Sequence, residues 1–204
     1  MDWTWWLALN AFAICNLACM FHFIRLVKLG KPVDYSRKAG NIPKALGYAF
    51  TGAMNPAKKE SAFLHLPTYT AGILYHLGTF AAMALFIFIL LGTIPNQPLS
   101  MILTVFFMVS GISGVSILIK RIVNHELRAI SNPDDFISNL LVTLFHFISA
   151  LLMTNTAILP VYFILAALLF LYLPVGKLKH TVYFFAARYH LGFFYGWRGV
   201  WPPK

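Results

Sequence analysis

HLPTYTAGILYHLGTFAAMALFIFILLGTI, residues 65–94, decides the fold. From Tyr69 to Ile94 it carries no Asp, Glu, Lys or Arg, and it outruns the ~20 apolar residues that cross ~30 Å of hydrocarbon. Working outward, Trp3–Ile24, Met101–Ile119, Phe136–Met153 and Leu159–Leu173 are further apolar runs. The expectation is an all-α integral membrane protein, a single domain over 1–204 built as a bundle of five transmembrane helices. Their expected spans are about 3–27, 67–94, 99–120, 135–153 and 157–182. The fifth reaches full length only if its helix continues through Pro174 toward His180, which membrane helices tolerate where neighbours satisfy the freed carbonyl.

Composition agrees. Of 204 residues, 59% are hydrophobic and 11% charged, against roughly a quarter charged in soluble domains. The first run begins with the acidic Asp2, lacks a basic leader and is too long and aromatic for a signal peptide, so it reads as a retained helix. With five spans, all 16 Lys and Arg fall in three segments, 25–66, 120–135 and 174–204, while TIPNQPLS and TNTAILP carry none. The positive-inside rule then puts the N-terminus outside and the C-terminus in the cytoplasm. The same asymmetry explains the net charge of +10 as topology plus attraction to anionic lipid, with no need for nucleic acid. Docking of a cytoplasmic protein on the basic face is the alternative.

The cytoplasmic segments show local signals. In the loop 28–66, Ile42–Met54 reads as a short interfacial helix begun by Pro43 and stopped near Asn55-Pro56. Asn132 with Pro133 reads as the cap and first turn of the fourth span, with Asp134 and Asp135 suited to its dipole. The tail 183–204 is aromatic and basic, a composition that favours the membrane face.

The histidines can be placed by depth. At ~1.5 Å and ~100° per residue, His65 and His76 lie about 16 Å apart on nearly one helix face. The fourth span runs parallel to the second, which brings His146 to the level of His76. The fifth runs back, which brings His180 to the level of His65. Two level-matched pairs, His76 with His146 and His65 with His180, are the donor set that two bis-histidine haems need. His22 is the first substitute for an inner ligand, ahead of His190 and His125. Ala71, Gly72, Gly78, Ser149 and Ala150 would let a flat macrocycle approach the backbone.

Other chemistries lack their residues. Cys15 and Cys19 form no zinc or iron–sulfur pattern, and there are no clustered histidine boxes, HExxH or GxSxG. Every Asp and Glu is expected outside the hydrocarbon, so no buried carboxylate is expected and a proton-coupled transporter finds no polar path.

ILYHLG (73–78), SNPDDFISNLLVTLFHF (131–147) and LPVGKLKH (173–180) resemble the cytochrome b subunits typified by the gamma subunit of respiratory nitrate reductase, including relatives in heterodisulfide-reductase-type and sulfite-reduction complexes. The likeness runs from about residue 60 to 185. It implies a diheme b cytochrome in a prokaryotic cytoplasmic (inner) membrane that exchanges electrons between quinone and a cytoplasmic iron–sulfur subunit. His76, His65 and His180 match the family's ligand positions, with the His65 to His76 spacing differing by one residue from the nitrate reductase pattern. Tyr162 stands where that pattern has a further ligand histidine, and His146 is the expected replacement. A haem-free scaffold anchoring a cytoplasmic enzyme is the alternative function.

Overall fold

The computed structural model describes residues 2–30, 34–55 and 64–203. Lys31 of the first basic loop and Pro56, expected to stop the interfacial helix, lie outside the described residues. The described chain is helical, without strands, and runs as α1 (Trp3–Leu29), α2 (Ile42–Phe50), α3 (Leu66–Leu90), α4 (Gln97–Val123), α5 (His125–Ala129), α6 (Pro133–Thr154), α7 (Leu159–Tyr172) and α8 (His180–Trp197). Among the described residues α1, α3, α4 and α6 are long and apolar enough to cross a membrane, and α7 with α8 make a fifth if the two count as one broken span. Their exposed positions are apolar: Met101, Ile102, Val105 and Ile112 of α4 are each more than half exposed. Such faces suit lipid and not water, and the protein is a multi-pass, all-helical membrane protein.

The fifth helix differs from the expected continuous 157–182. α7 ends at Tyr172, a short 3₁₀ turn follows at Lys177–Lys179, and α8 starts at His180. Pro174 has no N–H to offer the Phe170 carbonyl and its ring crowds that turn. Val175 and Gly176 both donate back to the Tyr172 carbonyl instead. The expected tail 183–204 is mostly helix, because α8 runs to Trp197. The helix expected over 42–54 is present as α2 plus a 3₁₀ turn at Gly52–Met54. The second span stops at Leu90, short of 94, because Gly92 (φ +78°) closes it: Thr93 N–H donates to the Phe88 carbonyl and Gly92 N–H to that of Ile89.

The chain forms two compact units. The first comprises residues 1–15 and 66–178. Side-chain caps set its helix starts: Asn96 opens α4, and Asn132 and Asp135 form a reciprocal capping box on α6. In lipid, apolar burial alone does not hold helices together, so close approach at small residues matters. A Cβ at Gly111 would meet the Phe147 ring at 2.7 Å, and one at Gly114 would fall on the Thr143 hydroxyl and the Tyr75 ring. Elsewhere Phe86, Phe170, Phe145 and Tyr162 form an aromatic core, with Phe86 and Phe170 centroids 4.7 Å apart.

The second unit comprises residues 16–65 and 179–204. α2 packs on α8, where Gly192 and Gly196 leave room for Leu46 and Ala45. The loop before α2 is stitched to the end of α8. Ala39 N–H donates to the Trp197 carbonyl at 2.8 Å, Trp197 Nε1–H to the Ser36 carbonyl at 2.9 Å, and Arg198 pairs with Asp34 at 2.8 Å. His190 Nε2–H donates to the Leu26 carbonyl of α1 at 3.2 Å.

Two outcomes are expected. Gly114→Val, which overpacks the α4 and α6 contact, lowers stability by about 1–3 kcal/mol, whereas Gly72→Ala, which meets nothing within 4 Å, is neutral or gains up to about 1 kcal/mol; thermal unfolding in detergent measures both. Hydrogen bonds from the Ser36 hydroxyl and amide, with the Arg198 guanidinium behind them, hold the Asp34 carboxyl below the usual carboxylate range. A lowered folded pKa means that the stabilisation is complete above the unfolded value and is lost as pH falls through the folded one. Exchange protection of the Ala39 amide should therefore stay flat down to about pH 4 and fall below it, while Asp34→Asn should weaken it at neutral pH and remove the acid-side fall.

Candidate functional site

α6 is the most enclosed of the spans, and its buried polar residues follow helical spacing. Asp135, Ser138, Thr143, His146 and Ser149 are all buried, and steps of three to five residues place them along one side of the helix. Polar groups in hydrocarbon require partners, and the first unit supplies them from α3 and α4.

Asp135 corrects the expectation that no carboxylate is buried. It is 5% exposed, at the first turn of α6. Its Oδ2 accepts from the Asn132 amide at 3.0 Å, and its other oxygen meets Lys177 and, at 3.5 Å, Arg121. Arg121 also donates to the Ser131 hydroxyl, and Tyr172 donates to the Asp134 carbonyl. The acid is buried because two cations and a cap amide satisfy it.

One turn further, Tyr75 OH of α3 donates to the Asn139 carbonyl at 3.0 Å. Thr143 Oγ1 lies 3.2 Å from Asn139 Oδ1 and 3.4 Å from Tyr75 OH. Next comes His146, with no exposed surface. Its ring stands edge-on to Tyr75 with centroids 5.2 Å apart, and its Nε2 is 3.2 Å from Thr79 Oγ1. The imidazole therefore stands level with residues 75–79 of α3. A Cβ at Gly78 would sit 3.4 Å from its Cε1 and would strike Ser110, so that side of the ring is closely packed.

The Thr79 bonds favour one tautomer of His146. Thr79 has one hydroxyl proton and donates it to the Tyr75 carbonyl at 2.8 Å. Thr79 Oγ1 is then the acceptor for His146 Nε2–H. A neutral imidazole has a single N–H, which leaves Nδ1 with its lone pair. Nδ1 is buried and has no hydrogen-bond partner. A second orphan lies on α7: Tyr162, fully buried, stacks on Phe145 at 5.4 Å, and its hydroxyl has no partner. The Ser149 hydroxyl faces Tyr162; its own proton goes to the Phe145 carbonyl at 2.7 Å, and its oxygen, still able to accept, makes no hydrogen bond of good geometry with the phenol.

The other expected ligands sit differently. His76 is on α3 with an exposed side chain, His65 is exposed immediately before α3, and His180 is exposed at the first position of α8. His22 is half-buried on α1. His190 already donates through Nε2 to α1, and His125 is exposed at the start of α5. Among the described residues no three His, Cys, Asp or Glu side chains converge on a metal-ion site; an axially ligated haem asks for two histidines. Sequence reasoning passed over Tyr75, Thr79, Ser110 and Thr143. Their signal was the spacing of Ser138, Thr143, His146 and Ser149 on one helix, which calls for polar partners on the facing helices. No family model, no curated protein and no solved structure matches the chain.

The two orphans respond oppositely to removal of a hydroxyl. Tyr162→Phe deletes an unsatisfied buried group and should stabilise by about 1 kcal/mol. Thr79→Val strips His146 Nε2–H of its acceptor and should cost about 1–3 kcal/mol. Equilibrium unfolding in mixed detergent micelles reads both, and a loss for Tyr162→Phe would show that its hydroxyl is bonded.

Proposed function

We propose that the protein is a diheme b-type cytochrome, the membrane anchor of a respiratory complex, which moves electrons between the quinone pool and a cytoplasmic iron–sulfur subunit. The observation that carries this reading is His146: an imidazole enclosed among transmembrane helices, its Nε2–H held by Thr79 and its Nδ1 without a partner. Histidine ligands of a metal usually donate their second ring N–H to a fixed acceptor, and Thr79 is such an acceptor. One nitrogen of the expected donor set, His146 Nδ1, is thus disposed to ligate an iron, which supports the reading.

In this reading His76 and His146 hold one haem, and His65 and His180 the other, with His22 the substitute for an inner ligand. A bound haem supplies one-electron chemistry at its iron. The chain supplies neutral nitrogens, orients that of His146 through Thr79 and Tyr75, and keeps its surroundings dry. Five spans with the N-terminus outside and the C-terminus in the cytoplasm of a prokaryotic inner membrane would present the basic loops 25–66 and 120–135 to the soluble partner. The resemblance of ILYHLG and LPVGKLKH to nitrate reductase gamma subunits and their relatives supports the quinone and iron–sulfur partners.

A dithionite-reduced minus oxidised spectrum with pyridine-haemochrome quantification tests this on the purified protein. Two b haems per chain are expected, with one lost in His146→Ala while the protein still assembles. No haem in preparations expressed with ample haem supply would leave the haem-free scaffold as the reading.

A further inference from the structure

The net charge of the protein is confined to one unit. Residues 16–65 and 179–204 contain twelve Lys and Arg and two acids, a net of +10; the remainder holds four of each and is neutral. Among the described residues of the basic unit Asp34 is the one acid, and it is engaged by Ser36 and Arg198.

The face that this unit leaves open is aromatic. On α8, Val182, Ala186, Gly192 and Gly196 are buried, with both glycines against α2. Phe184, Arg188, Leu191 and Arg198 recur at spacings that set them within a narrow arc, with Phe194 beside them. Phe184, Leu191 and Phe194 are exposed. The Arg188 guanidinium lies 5.3 Å above the Phe184 ring and that of Arg198 lies 3.7 Å above Phe194, so these cations are laid over aromatic surface. The loop adds an exposed ring followed by two exposed cations: Tyr35 is 93% exposed, and Arg37 and Lys38 come after it. The Asp34–Ser36 turn and the Trp197 bond to the Ser36 carbonyl fix its backbone.

We infer that this face is an anionic-phospholipid surface, with the aromatic rings at headgroup depth and Arg188, Arg37 and Lys38 on lipid phosphates. A water-facing helix would show polar residues outward, and a purely hydrocarbon-facing one would exclude arginine. Exposed rings with cations laid on them need an apolar phase and an anionic layer within one side-chain length. A leaflet containing phosphatidylglycerol or another anionic lipid offers both. This inference stands independently of the haem reading.

The test uses the full chain in nanodiscs of phosphatidylcholine with and without phosphatidylglycerol, followed by hydrogen exchange over 180–198 and by counting the lipids retained on extraction. Phosphatidylglycerol should slow exchange in α8 and be retained over phosphatidylcholine. Arg188→Gln should lower that retention about fivefold, and Arg37→Gln with Lys38→Gln should lower it further. Exchange in α3 and α6 should stay unchanged in these variants, which shows that they remain folded. Equal exchange and equal retention in both lipids would overturn the inference. So would slowing of α8 by a soluble acidic polypeptide such as polyglutamate but not by phosphatidylglycerol, which would assign the face to an acidic protein.

Discussion

The reciprocal cap between Asn132 and Asp135 sets everything that follows along α6. It fixes the residue at which the helix begins, and a helix of known start has a known register. That register turns Ser138, Thr143, His146 and Ser149 inward and leaves Ile137, Leu140, Leu144 and Leu151 exposed. The cap is itself anchored, because the second role of Asp135 is to meet Arg121 from the end of α4 and Lys177 from beyond α7. One carboxylate thus joins the ends of three elements. It tolerates burial because its charge is matched where it stands.

Inside lipid the usual driving force for helix association is missing, and the first unit shows what replaces it. Gly111 and Gly114 let α4 approach α6 closely enough for Phe147 and Thr143 to fill the gap. Tyr75 then ties α3 to the same place, its hydroxyl on the Asn139 carbonyl and its ring on His146. Close packing and hydrogen bonding occupy the same few residues. The partners of His146 are for this reason structural first: removing Tyr75 or Thr79 disturbs a helix contact as well as an imidazole.

Much of this was legible in the sequence where the signal was local. Charge-free runs gave the spans, Pro43 and Pro133 marked helix starts, and SNPDDF contained the cap of α6 in plain view. Pro174 alone does not decide the break, since membrane helices do carry proline; the end of α7 at Tyr172 depends on Val175 and Gly176 turning back to its carbonyl, a choice among local bonds that composition does not decide. Burial of Asp135 was hidden because its partners, Arg121 and Lys177, are distant in sequence. The level of His146 against residues 75–79 could be calculated from helix rise. Which α3 side chains meet its ring could not, because a rotation by one residue replaces His76 with Tyr75.

That last difference shapes the chemistry available at the centre of the unit. With Tyr75 and Thr79 in contact with His146, the imidazole is oriented before any ligand arrives: its N–H is already directed at a hydroxyl, and the lone pair is left on Nδ1. A histidine fixed by packing alone could exchange tautomers, and either nitrogen could then present itself. Here exchange would leave two acceptors, Nε2 and Thr79 Oγ1, facing each other unless the threonine gave up its bond to the Tyr75 carbonyl. One threonine hydroxyl, turned back on its own helix, therefore selects the nitrogen that a metal or a hydrogen-bond donor can use.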